Sequence, residues 1–169
     1  EWGVLNVSDG AVQIARLSVE PADRDLAKTS VLFVLDCSRS MAQGARMETL
    51  VNTLDKFSQL VQGSRIQVGV RFFGHRHEWV AGNEESEKRA RQDSELKMPI
   101  QEFNSNALPK FKELLDELAP RGETPLFYAL LQAAADFHTV ENGRKLVVVI
   151  TDGVDNWSRS AGSRYSVDR

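Results

Sequence analysis

The chain has 169 residues, 41% of them hydrophobic and 27% charged, an ordinary globular composition and enough length for one domain with a real core. Its formal charge of -3, with Lys and Arg scattered along the chain, gives no basic field for a phosphate backbone, so no nucleic-acid partner is expected. No run of about 18 apolar residues occurs, which excludes a helical membrane span in this segment, and the single cysteine, Cys37, excludes an internal disulfide.

The chain opens at Glu1 without a basic leader and apolar stretch behind it, and reads as a piece of a longer protein. Residues 1–28 form an N-terminal unit of extended strands and linker, and 29–169 form the main domain. In "GVLNVSDGAVQIARLSVEP" two partly alternating runs flank Ser8-Asp9-Gly10, the pattern of a hairpin or a pair of extended strands. The polar stretch "PADRDLAKT" then serves as linker.

Residues 31–35 are a continuous β-rich run, the signature of a parallel strand covered on both faces. Met47, Leu50, Val51, Leu54, Phe57 and Val61 recur at three- and four-residue steps, predicting a helix over 46–61 that stops at Gly63. Residues 65–73, "RIQVGVRFF", form the next strand, and 75–80 a short edge strand after it. Residues 82–97 hold five acids and four bases and read as a solvated loop or exposed helical excursion.

Leu108, Phe111, Leu115 and Leu118 mark a second helix, halted by Pro120 and Gly122. Thr124-Pro125 opens a third, with Leu126, Leu130, Ala133, Ala134 and Phe137 along one face. Asn142-Gly143 turns into a second fully apolar strand at 146–151, which also ends in an acid, Asp152. Strands alternating with helices define a doubly wound α/β fold, a mostly parallel sheet flanked by helices, with its site at the carboxyl ends of the strands.

Asp36, Ser38 and Ser40 alternate by two, so in an extended or gently curving loop their oxygens converge on one point. Two hydroxyls and a carboxylate fill about half of the octahedral oxygen shell that Mg²⁺ takes at about 2.0–2.1 Å. Thr124 and Asp152 are placed to supply more of it. Other readings compete: Ser38 and Ser40 as helix caps, Asp36 as a phosphoryl-accepting nucleophile of a metal-dependent phosphatase, Cys37 as a thiol nucleophile. Against the second, phosphatases of that kind want an aspartate where Ser38 stands. Against the third, Cys37 should face the packed side as a small apolar filler.

"DCSRS" at 36–40, "GETPL" at 122–126 and "VVVITDG" at 147–153 together resemble the three parts of the metal-ion-dependent adhesion site of von Willebrand factor type A domains. "RGETPL" and "FGHR" are similar to bacterial members, and the resemblance covers about residues 29–157. It implies Asp36, Ser38, Ser40, Thr124 and Asp152 as metal-site residues, with Mg²⁺, or Mn²⁺ or Ca²⁺, as the ion. It implies a non-enzymatic interaction module whose protein partner offers a carboxylate to the ion. A domain acting with an AAA+ ATPase is the alternative, and a metal-dependent hydrolase a further one. The family fold usually runs to six strands, so the resemblance also implies a C-terminally incomplete domain with an open edge at 146–151.

His75 and His77 would share a face of an extended strand, a conceivable zinc pair with no third ligand in view. His138 is expected near a helix C-terminus. Trp157 and Tyr165, after the metal loop, are candidate partner contacts.

Overall fold

The computed structural model describes residues 7–8, 11–12, 28–76, 88–89, 91–140, 143–153 and 155–157. Strands β1 (Val7–Ser8) and β2 (Ala11–Val12) pair antiparallel, Val7 opposite Val12, as expected of the two runs that flank Ser8-Asp9-Gly10; residues 9 and 10 lie outside the described residues. Of the linker expected over 21–29, residues 21–27 lie outside the described residues, and Thr29 already belongs to strand β3, Thr29–Asp36.

The main domain is a four-stranded sheet. Strand β3 (Thr29–Asp36) lies between β4 (Ile66–Phe73) and β6 (Arg144–Ile150), parallel to both, and β5 (Ser94–Glu102) adds antiparallel to β4. Among the described residues β6 forms one edge of the sheet and β5 the other.

The unbroken apolar run of β3 follows from burial on two faces. Val31, Phe33 and Leu35 join a core under helices α1 (Arg46–Leu60) and α2 (Ala107–Glu117), with Leu50, Leu54, Phe111 and Leu114. Leu32 and Val34 point the other way, into a smaller core with Ala129, Ala133 and Phe137 from α3 (Leu126–Asp136) and the turn after it. A strand sandwiched this way has no polar face, so the period-two alternation vanishes. Phe33 meets Phe57 edge to face, ring centroids 4.8 Å apart. The doubly wound α/β fold is therefore the one the sequence calls for, with Ala134 exposed rather than on the buried face of α3.

Two readings are corrected. Residues 74–76 form a bend rather than a strand, because Gly74 takes a left-handed φ of 69° and turns the chain away; 77–80 lie outside the described residues. The edge strand is instead β5, so Ser94 to Lys97 belong to the sheet and not to a solvated excursion. Helical residues at 88–89 and 91–92 precede it. Gly69 in β4 makes room for this pairing: a Cβ there would lie 2.7 Å from Cγ1 of Ile100, beside the register shift between Val68 and Val70.

A buried ion pair locks β4 to α3. Arg71, 6% exposed, donates Nε and Nη2 to the two carboxylate oxygens of Asp136, each at 2.7 Å, and Nη1 to Ser94 Oγ at 3.0 Å.

Candidate metal centre

The carboxyl ends of β3, β4 and β6 and the loop before α3 meet at one place. After β3 the chain runs extended through Ser38 (φ -67°, ψ 161°) and then tightens into a 3-10 turn, Arg39–Ala42. Ser40 thus sits in a tight turn rather than in the extended or gently curving loop that alternation suggests. The loop before α3 docks on this segment as a short parallel bridge between Ser38 and Gly122. The Arg39 N–H donates to the Gly122 carbonyl at 2.9 Å and the Arg121 N–H to the Cys37 carbonyl at 2.8 Å.

Gly74 is the third member of this junction. Its carbonyl accepts from the Gly122 N–H at 2.8 Å. A Cβ on Gly74 would fall 2.5 Å from the Glu123 carbonyl oxygen and 2.9 Å from the Ser38 nitrogen. Three loops approach this closely only because the residue has no side chain.

Asp36 is fully buried. Its Oδ1 accepts from the Ser38 N–H at 2.7 Å and its Oδ2 from the Thr151 hydroxyl at 2.6 Å. Burial raises the Asp36 carboxyl above its usual range against these bonds, and the charge of Asp152 pushes the same way. The Ser38 and Ser40 hydroxyls lie 3.1 Å apart, and Ser40 Oγ donates to Asp152 Oδ1 at 2.8 Å. A point one Cβ out from Gly153 is 3.8 Å from Thr124 Oγ1 and 3.9 Å from Ser40 Oγ, which puts both hydroxyls around the same glycine. The five residues singled out in the sequence therefore meet at one crevice. Ser38, Ser40 and Asp152 form a hydrogen-bonded chain, Thr124 stands next to it, and Asp36 lies beneath.

Several positioning residues escape a reading of the sequence. Asn156 accepts from the Thr124 N–H at 2.7 Å, and its own N–H donates to the Thr124 carbonyl at 3.1 Å. Asp155 accepts from the Phe127 N–H at 2.7 Å and so satisfies an open donor in the first turn of α3. Thr151 ties Asp36 to the Gly153 N–H, 3.1 Å from its hydroxyl. Arg46, at the start of α1, pairs with Asp152. Apart from the Thr151–Gly153 contact these partners are remote in sequence, so no local pattern marks them.

The donor set is oxygen only. Among the described residues no group of three or more His, Cys, Asp or Glu is placed to hold a metal, so a cation here would depend on hydroxyls together with the two aspartates. Adjacent oxygens in a magnesium octahedron lie about 2.9 Å apart, given metal-oxygen distances of about 2.0–2.1 Å. The 3.1 and 2.8 Å separations along Ser38, Ser40 and Asp152 are ordinary hydrogen-bond lengths that also lie close to that edge, so these oxygens are spaced as a hard divalent ion would require.

Other candidates fall elsewhere. Cys37 is fully buried in the core under α1 and α2, and burial pushes its thiol far up, the state of a packing residue and not of a nucleophile. His75 contacts Asp93 and Glu95 from a bend, and His77 lies outside the described residues. His138 is exposed in the 3-10 turn after α3. Trp157 is fully buried, which removes it as a partner contact, and Tyr165 lies outside the described residues. Among the described residues no helix is long and apolar enough to cross a membrane.

A doubly wound α/β domain with an oxygen-lined crevice at the ends of parallel strands defines the class. The chain belongs to the von Willebrand factor type A domain family, whose model matches residues 31–154. Solved structures share the fold. The vWF domain of the type V pili tip protein Mfa5 from Porphyromonas gingivalis superposes with a TM-score of 0.58 at 14% identity, over 77% of this chain and 39% of that one. The pilus adhesin SpaC from Lactobacillus rhamnosus GG gives 0.59 at 18% identity, over 79% of this chain and 16% of that one. The chain thus spans well under half the length of either. No curated protein sequence matches it.

Proposed function

We propose that the domain is a divalent-cation-dependent protein-interaction module. Asp36, Ser38, Ser40, Thr124 and Asp152 hold Mg²⁺ or Mn²⁺, with Ca²⁺ as a further candidate, and a carboxylate of a protein partner completes the shell. The observation that carries this reading is the chain of short contacts from Ser38 Oγ through Ser40 Oγ to Asp152 Oδ1, which gathers residues 112 apart in sequence. Hydroxyl ligands are neutral and weak donors, so a bound cation keeps its appetite for an anionic oxygen from outside.

The chain's own groups account for the rest. Asp36 supplies buried negative charge and fixes the Ser38 backbone and the Thr151 side chain. The docked Gly122 segment delivers Thr124. The two structural neighbours, a pilus tip protein and a pilus adhesin, favour adhesion over catalysis as the use of such a site, and we read this domain as non-enzymatic.

Thr124→Val keeps the side-chain shape and deletes one hydroxyl, and Asp36→Ala deletes the buried charge. Both are expected to abolish Mg²⁺ uptake and partner capture together, with EDTA reproducing the loss in the wild type. If partner capture and Mg²⁺ uptake both survive these changes, the reading is wrong.

A further inference from the structure

Arg46 opens α1 and sets its guanidinium against Oδ2 of Asp152. The same nitrogen donates to the Ser40 carbonyl at 3.2 Å, and Gln43 Oε1 lies 3.4 Å from it. The Asp152 side chain is 3% exposed and that of Arg46 38%, so a sequestered acid is met by a cation arriving from the solvent side. One oxygen of Asp152 thus faces the Ser40 hydroxyl and the other faces a permanent positive charge.

This changes the charge balance of the crevice. Asp36 and Asp152 alone would neutralise a divalent ion. With Arg46 paired to Asp152, only one negative charge is left over, and a loaded site carries a net positive charge. We propose that Arg46 is a positioning residue that trades metal affinity for carboxylate affinity. It weakens the hold of the crevice on a divalent cation and leaves the loaded crevice in need of an external anion. The inference rests on the metal reading of the site given above. Its physical basis is that a guanidinium next to the ion repels it, whereas an incoming carboxylate is attracted by both.

The test uses two variants and two probes. Arg46→Gln retains a hydrogen-bond donor for Asp152 and removes the charge, and Arg46→Lys retains the charge. Mn²⁺ affinity is read from the paramagnetic resonance signal of the free ion, and acetate affinity of the Mn²⁺-loaded protein from water-proton relaxation. Arg46→Gln is expected to bind Mn²⁺ about tenfold more tightly and acetate about tenfold more weakly, while Arg46→Lys stays within about threefold of wild type on both. Unchanged Mn²⁺ affinity in Arg46→Gln, or two affinities that move in the same direction, would overturn the inference. If Thr124→Val abolishes Mn²⁺ uptake while Arg46→Gln changes nothing, the role of Arg46 alone is wrong. If the wild type takes up no Mn²⁺, the metal reading and this inference fall together.

Discussion

Asn156 grips Thr124 from both sides, accepting its N–H at 2.7 Å and donating to its carbonyl at 3.1 Å. Thr124 is 3% exposed, so its N–H has no water to turn to if the side-chain acceptor is removed. Asn156→Ala should cost about 1–3 kcal/mol in denaturant unfolding, the penalty for a buried donor left unpaired. It should also weaken Mg²⁺ binding in a calorimetric titration, because Thr124 loses its fixed position. Unchanged Mg²⁺ affinity would show that Thr124 needs no such clamp.

Gly74 offers a comparison within one molecule. It and Gly63 both have left-handed φ, 69° and 78°, but a Cβ on Gly63 meets open space while one on Gly74 meets the Glu123 carbonyl and the Ser38 backbone. Gly63→Ala should cost about 1–2 kcal/mol, the backbone penalty alone. Gly74→Ala adds overpacking of about 1–3 kcal/mol and should separate the loops that carry Ser38 and Thr124. Equal unfolding midpoints for the two variants would contradict this.

The strands of the sheet differ in how openly the sequence declares them. β3 is plain because burial between helices leaves Val31 to Leu35 continuously apolar, and β6 shows the same apolar run from Leu146 to Ile150 although it is a half-buried edge strand among the described residues. β5 carries the alternation Leu96, Met98, Ile100, but it follows a charged stretch, and Pro99 argues against a central strand while suiting an edge one. The bend at 74–76 was hidden because the requirement for a left-handed glycine comes from the neighbouring loops, not from the local sequence. In the crevice, Asp36, Ser38, Ser40, Thr124 and Asp152 stand out through spacing and motif. Arg46, Thr151, Asp155 and Asn156 do not, since each acts on a group far away in the chain.

Removing one partner of the Arg71–Asp136 pair leaves an uncompensated charge in the interior. Asp136→Ala should therefore lose about 3–5 kcal/mol, whereas Arg71→Met combined with Asp136→Leu should recover much of that loss. A double-mutant cycle in urea measures the coupling. A single substitution as mild as the double would contradict the burial of this pair.

His75 links stability to pH. Burial lowers its pKa from an ordinary 6.5 to about 4; the Glu95 carboxylate opposes the shift, while Arg76 and Lys97 reinforce it. Asp93, against its Nδ1 at 3.4 Å, is the other acid facing the ring. The unfolded chain then binds more protons than the folded one between those values, so this contribution is complete above 6.5 and is lost as pH falls toward 4. Stability should drop by about 3 kcal/mol over that interval, and His75→Asn should flatten the drop. An unaltered pH slope in the variant would assign the effect to other groups.

Calorimetric titration of Mg²⁺ into the wild type, Ser40→Ala and Thr124→Val measures the proposed cation site most directly. One ion per chain is expected in the wild type, accompanied by a rise in melting temperature, with both effects lost in the two hydroxyl deletions while their metal-free melting stays cooperative. Wild-type protein that neither binds Mg²⁺ nor gains stability from it, or variants that bind it as the wild type does, would contradict the account.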